Sequence, residues 1–123
     1  MTVLLDSSGW SELLGGTKRA DLFEPALKAE RLIVPAIVRY EVGRYVLAHS
    51  GEAGREMAIR AMAKFEQVAV DAAVADKASL LAAKHKMAMA DAIIYAVTRA
   101  QEAELWTQDR HFKNLPSVRF FKK

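Results

Sequence analysis

The chain has 123 residues, of which 52% are hydrophobic, with three prolines, six glycines and no cysteine. This length fits one domain with one core, and the composition excludes a disordered chain, a disulfide-linked scaffold and a zinc–thiolate site. No apolar run approaches the roughly 18–20 residues that span a bilayer, and Asp6 interrupts the apolar start too early for a signal peptide. We therefore expect a soluble, cytoplasmic protein with no membrane partner. Its net charge of +3 permits, without requiring, an anionic partner such as nucleic acid.

Short apolar runs alternate with helical patterns along the chain. The predicted strands cover residues 2–5, 31–34, 67–70, 104–107 and 117–121. The predicted helices cover residues 7–14, 22–27 with a break at Glu24-Pro25, 36–50, 53–65, 71–85 and 87–100. Ser7-Ser8-Gly9 predicts the cap of the first helix, and Gly15-Gly16 and Ser50-Gly51 predict helix ends.

This alternation predicts the fold class. Short apolar strands separated by helices are typical of βαβ units, which form a parallel sheet covered on both faces. We therefore predict an α/β fold in one domain over residues 1–123, with a central, mostly parallel sheet of about four or five short strands flanked by helices on both faces. In such sheets ligands bind beyond the carboxyl ends of the strands.

The last predicted helix is the most apolar of the set. Its apolar residues recur at helical spacing and predict one wide buried face formed by Ala90, Ile93, Ile94, Val97 and Ala100. Asp91 stands at the N-terminal edge of this face, where a carboxylate either caps backbone N–H groups or projects into a cleft.

Three other acids occupy comparable borders of apolar structure. Asp6 follows the first strand directly, Asp109 lies two residues past the fourth strand, and Glu41 borders the buried stripe of its helix. Taken singly, each acid has a structural explanation as a cap, a turn residue or a solvated carboxylate. Taken together at one sheet edge, four carboxylates would repel each other unless cations neutralised them. Mg²⁺ and Mn²⁺ take such oxygen ligands, so we predict a metal site.

Five cationic residues lie close in sequence to these acids. They either contact backbone phosphates of a nucleic acid or simply offset the neighbouring negative charges. These residues are Arg39, Arg44, Arg99, Arg110 and Lys113. The three histidines lack the i, i+4 pairing of a helical zinc site, and we expect them at surface or groove positions.

A phosphoacceptor receiver domain is one alternative, since it is also a small parallel α/β fold with acids at strand ends. Asp71 after the third strand could serve as its acceptor. That fold would require an acidic pair after the first strand, where this chain has Asp6 followed by Ser7-Ser8. No P-loop, GxGxxG or GxSxG motif is present, which argues against an NTPase, a dinucleotide enzyme and a serine hydrolase.

Four segments of the chain resemble, in order and spacing, the acidic motifs of PIN-domain ribonucleases. They are residues 3–8 (VLLDSS), 37–42 (IVRYEV), 89–94 (MADAII) and 105–112 (LWTQDRHF). Within that family the chain looks most like the VapC toxins of toxin–antitoxin pairs, over essentially its whole length. One departure is Pro35-Ala36-Ile37, since family members often carry Ser or Thr shortly before the motif Glu.

The resemblance implies endonucleolytic hydrolysis of RNA with one or two Mg²⁺ or Mn²⁺ ions, leaving a 5′-phosphate and a 3′-hydroxyl. The implied metal ligands are Asp6, Glu41, Asp91 and Asp109, with supporting hydroxyls at Ser7 and Thr107. It also implies a homodimer and a cognate VapB-like antitoxin whose C-terminal segment enters the active-site groove. A PIN-like domain that binds RNA without cleaving it is the second alternative.

Overall fold

A five-stranded, fully parallel sheet organises the chain in the computed structural model, which describes residues 1–123. The strands are β1 (Thr2–Leu5), β2 (Arg31–Pro35), β3 (Glu66–Val68), β4 (Glu104–Thr107) and β5 (Val118–Phe120). Their order across the sheet is β3-β2-β1-β4-β5. The predicted α/β class and the predicted number of strands are confirmed, and β5 forms an edge as expected.

Helices cover both faces of this sheet. They are α1 (Ser7–Gly15), α2 (Ala20–Phe23), α3 (Ala36–Met62), α4 (Ala72–His85) and α5 (Met89–Ala100), with 3₁₀ turns at Glu24–Lys28 and Arg110–Phe112. The chain moves from β1 through β2 to β3 in one direction and returns across the sheet to β4 in the other. Because such crossovers are right-handed, the return places α4 and α5 on the face opposite α1 to α3. No helix is both long and apolar enough to cross a membrane.

The core lies around the two central strands. Val3, Leu4 and Leu5 of β1 are fully buried, as are Ile33 and Val34 of β2. Strands of a parallel sheet are buried on both faces, which explains why they are continuous apolar runs and not alternating ones.

The predicted break at Gly51 lies inside one continuous helical segment. α3 runs from Ala36 to Met62, but Gly51 has non-helical backbone angles (φ 74°, ψ −174°). A positive φ of this size is readily adopted by glycine and rarely by other residues. The chain therefore changes direction at the predicted residue, although the helix resumes without a connecting loop.

The third strand is shorter than predicted and begins one residue earlier. Glu66, Gln67 and Val68 pair with Ile33, Val34 and Pro35 of β2. Because β2 ends at Pro35, residues 69 and 70 have no ladder to join. The chain turns instead to Asp71, whose Oδ1 accepts a hydrogen bond of 3.0 Å from Val74 N and caps α4.

The buried face of α5 is wider than predicted and differently placed. Ala100 is exposed, Ala90 and Ile93 are half-buried, and the fully buried stretch runs from residue 94 to 98. The reason is that α5 contacts both the sheet and α4. Ala92 and Ala96 pack against Ala78 of α4, so a second side of the helix is buried.

We predict that Gly9→Ala lowers the free energy of unfolding by about 1–3 kcal/mol, the usual cost of overpacking. A Cβ at Gly9 would lie 2.3 Å from Leu5 Cδ1 and 3.2 Å from Phe23 Cδ1. The matched control is Gly15→Ala in the same helix, where the nearest atom would be 3.5 Å away. Urea denaturation measures both variants. Equal stability of Gly9→Ala and wild type would contradict this packing.

Candidate active site

Asp6 and Thr107 stand side by side where the strand order reverses. Leu5 of β1 pairs with Trp106 of β4, so the residues that follow them are neighbours at the carboxyl edge of the sheet. The chain leaves β1 toward one edge of the sheet and β5 extends from β4 toward the other edge. Open α/β sheets bind their ligands in the crevice at such a point. Thr107 Oγ1 donates a hydrogen bond of 2.5 Å to Asp6 Oδ2.

Asp6 is itself the N-cap of α1, a role that we predicted for Ser7-Ser8-Gly9. Its Oδ1 accepts hydrogen bonds from Gly9 N at 3.0 Å and from Ser8 Oγ at 2.7 Å. The side chain is buried, which raises the pKa of Asp6, while the hydrogen bonds from Thr107, Gly9 and Ser8 oppose that rise. The fold thus fixes this carboxylate in one orientation, toward the site.

Glu41 presents a carboxylate oxygen that no protein group satisfies. It lies on α3 at the border of the buried face, as predicted, and its Oε1 is buried without a hydrogen-bond partner. Burial raises the pKa of Glu41, the Ser7 hydroxyl opposes the rise, and the negative charges of Asp91, Asp6 and Asp109 add to it. The four predicted acids are therefore close enough to act on one another electrostatically.

Asp109 and Asp91 meet through a histidine that we expected at a surface or groove position. Asp109 Oδ1 accepts a hydrogen bond of 2.9 Å from His111 N. His111 Nδ1 lies 3.0 Å from Asp91 Oδ2 and 3.4 Å from Asp109 Oδ1. One ligand atom from each of the three residues lies within 4.8 Å of the others. The sequence feature that could have indicated this role is the position of His111 two residues after Asp109, an acid that follows a strand.

Asp91 does not cap α5, because the N-cap position is Ala88 and has no side-chain hydrogen bond. The capping explanation for this acid is therefore wrong. Burial raises the pKa of Asp91, the negative charge of Asp109 adds to the rise, and His111 opposes it.

The donor set fits a hard divalent cation. It contains four carboxylates, the oxygen ligands that Mg²⁺ and Mn²⁺ take, and the imidazole of His111 lies beside two of them, Asp91 and Asp109. Mutual repulsion of the carboxylates and the unsatisfied Glu41 Oε1 are the features that a bound cation would relieve. Ser7, Ser8, Ser11 and Glu41 line an adjoining cleft of about 410 Å³ through which a substrate could reach these groups.

The five predicted cationic residues differ in where they lie relative to the carboxylates. Arg44 lines an exposed cavity together with Glu41, and Arg110 and Lys113 line another next to Gln108. Arg39 Nη1 donates a hydrogen bond of 3.0 Å to Gln67 Oε1. Arg99 is eight residues from Asp91 along α5, about 12 Å at the rise of an α-helix, and lines a separate cavity. The structure does not bring Arg99 to the carboxylates.

A family profile of the PIN domain matches residues 3–118 of the chain. The chain belongs to the PIN-domain family. This membership confirms the resemblance found in the sequence and rejects the receiver-domain alternative. In this PIN domain, Asp71 has an ordinary structural role as the cap of α4.

Solved structures of toxin–antitoxin proteins share this fold. The chain is similar to a toxin–antitoxin complex from Klebsiella pneumoniae (23% identity, 95% of each chain covered, TM-score 0.81). It is similar to VapC20 of Mycobacterium tuberculosis, described as a sarcin–ricin loop cleaving toxin (20% identity, 95% of this chain and 98% of that chain, TM-score 0.78). A VapBC complex of Rickettsia felis bound to a promoter DNA fragment also matches (15% identity, 99% and 100% covered, TM-score 0.80). None of the curated protein sequences matches the chain.

We predict that Glu41→Gln changes the pH dependence of stability when divalent cations are removed with EDTA. The raised pKa means that the folded protein holds this proton more tightly than the unfolded chain, whose value is near 4.5. The wild type therefore loses this contribution as the pH rises from that value through the folded pKa. Relative to wild type, Glu41→Gln gains stability across that window and keeps the gain above it.

Urea denaturation at a series of pH values measures this difference. The matched control is Glu56→Gln, an exposed position in the second half of α3, which should run parallel to wild type at every pH. Parallel curves for Glu41→Gln and wild type would show that neither burial nor the neighbouring acids raise the pKa of Glu41.

Proposed function

We propose that this PIN domain is a metal-dependent endoribonuclease of the VapC type. The observation that carries the proposal is the meeting of Asp6, Glu41, Asp91 and Asp109, from four separate segments, at the topological switch point of the sheet. The proposed substrate is RNA, consistent with the sarcin–ricin loop cleavage described for the Mycobacterium tuberculosis neighbour.

In this proposal the four carboxylates hold one or two Mg²⁺ or Mn²⁺ ions. When bound, such ions neutralise charge on the scissile phosphate and lower the pKa of water. One protein group orients two of these ligands. Thr107 Oγ1 holds Asp6 by its donated hydrogen bond, and it accepts one of 2.9 Å from Asp109 N, which ties the two acids together.

Proton release accompanies ion binding in this site. Burial and mutual repulsion raise the pKa values of Asp6, Glu41 and Asp91, so these groups hold protons more tightly than free carboxyls do. A cation must displace those protons, which makes its affinity fall as the pH falls. His111 can favour the ionised form of Asp91 through its hydrogen bond.

We predict that Asp6→Asn and Asp91→Asn each reduce metal-dependent RNA cleavage by at least 100-fold. Each substitution removes one ligand charge while retaining the shape of the side chain. The measurement is cleavage of a mixed RNA pool with Mg²⁺, Mn²⁺ or EDTA, followed by mapping of the product ends. We expect 5′-phosphate and 3′-hydroxyl ends, and no cleavage in EDTA.

The matched control is Asp76→Asn, an exposed acid of α4 whose side chain makes no hydrogen bond or ion pair. It should cleave RNA at the wild-type rate, and thermal denaturation should show all three variants folded. Wild-type turnover in both Asp6→Asn and Asp91→Asn would refute the assignment. RNA that binds the wild type but stays intact with either metal would favour the non-catalytic RNA-binding alternative.

We also propose a VapB-like antitoxin as a partner, because several structural neighbours are described as VapBC or toxin–antitoxin complexes. We propose a homodimer because the resemblance to VapC toxins implies one. Light scattering should give about twice the chain mass of 13.6 kDa. Co-expression with the product of a short reading frame beside the gene should yield a complex that no longer cleaves RNA. A monomer mass at working concentration would contradict the dimer.

A further inference from the structure

A small cationic cavity lies beside the carboxylates on the β5 side of the sheet. Its volume is about 200 Å³, and four of its lining residues are cations: Arg110, Lys113, Lys122 and Lys123. No Asp or Glu side chain lines this cavity, and none of the four cationic side chains lies within 4.0 Å of a carboxylate in an ion pair. Four like charges around one small space repel each other, and a bound anion would relieve that repulsion.

The cationic cavity adjoins the cleft that leads to the carboxylates. Gln108 and Lys123 line both spaces, and the cleft also contains Ser7 and Glu41. Gln108 and Arg110, the sequence neighbours of Asp109, both line the cavity, so Asp109 lies next to it. Glu12 and Glu41 also line the cleft, so a chain of phosphates that extends from the cleft into this cavity would pass from an acidic lining to a cationic one.

Hydrogen bonds hold the backbone at Phe121 and Lys122, next to this cavity. Arg19 Nη2 donates hydrogen bonds of 3.4 Å to Phe121 O and 3.2 Å to Lys122 O, and Arg19 Nε donates one of 2.7 Å to Gln108 Oε1. Phe121 N donates one of 2.8 Å to Thr107 O, next to the site itself. These bonds fix the backbone of Phe121 and the carbonyl of Lys122, and Lys123 follows directly.

We propose that this cationic cavity is a phosphate subsite for the RNA strand flanking the scissile bond. This inference rests on the proposed function. The polar, cationic lining fits a phosphate group, and contacts of this kind position a strand without reading its sequence. The cavity would thus contribute to affinity for any RNA longer than the cleaved step, leaving the chemistry to the carboxylates.

The test uses Lys122→Ala/Lys123→Ala and, as a matched control, Lys77→Ala/Lys84→Ala. The control removes the same charge from a cavity on α4, which does not adjoin the carboxylates. Binding of a fluorescent single-stranded RNA of about a dozen nucleotides is measured in EDTA over a salt series, and KM and kcat for cleavage are measured with Mg²⁺.

For Lys122→Ala/Lys123→Ala we expect about a tenfold rise in Kd and in KM, with kcat unchanged. We also expect the slope of log Kd against log salt to fall by about 1.4, since each of the two lost phosphate contacts accounts for about 0.7 on single strands. The control should stay within about twofold of wild type.

Two outcomes would overturn the proposal: an unchanged Kd in Lys122→Ala/Lys123→Ala, or an equal loss in the control, which would indicate only a general charge effect. The two proposals fail separately. Cleavage with an unaltered KM in this variant rejects the phosphate subsite and leaves the ribonuclease intact. The expected binding loss without any cleavage by wild type rejects the ribonuclease and supports the subsite.

Discussion

The site depends on carboxylates that are wholly or partly removed from water and that repel each other. Asp6 is buried beside the core, Glu41 has an oxygen that no protein group satisfies, and burial together with the neighbouring Asp109 raises the pKa of Asp91. The fold holds these groups together because each belongs to an element that the core positions independently. Negative charges this close together are unfavourable until protons or cations neutralise them. The unsatisfied Glu41 oxygen favours neutralisation by a cation, which it could bind as a ligand. The proposed metal affinity, the proposed proton release and the predicted pH dependence of stability are therefore consequences of one electrostatic arrangement.

The parallel sheet explains how residues remote in sequence come together. β1 and β4 are neighbours although about one hundred residues separate them, and the register that pairs Leu5 with Trp106 places Asp6 beside Thr107. The single hydroxyl of Thr107 then connects Asp6 to the backbone of Asp109. Basic side chains such as Arg44, Arg110 and Lys113 lie around these carboxylates and not between them. This arrangement suits the proposed RNA substrate, whose scissile phosphate would enter the acidic centre while its other phosphates stay outside.

Much of the architecture could be predicted because it depends on local patterns. Continuous apolar runs identified the central strands, and Gly51 identified the change of direction in α3 from its backbone freedom alone. What could not be predicted depends on contacts between elements. The packing of Ala92 and Ala96 on α4 buries a second side of α5, and the end of β2 at Pro35 shortens β3. His111 belongs to the site only because its ring reaches Asp91, which is twenty residues away in sequence. The sequence around either residue does not indicate this contact.

Anomalous diffraction from crystals soaked in Mn²⁺ would locate a bound ion without requiring that a substrate be known. We expect a manganese peak enclosed by Asp6, Glu41, Asp91 and Asp109, with occupancy that falls when the crystal is held at acidic pH. Ordered carboxylates at saturating Mn²⁺ and neutral pH with no anomalous peak between them would contradict it.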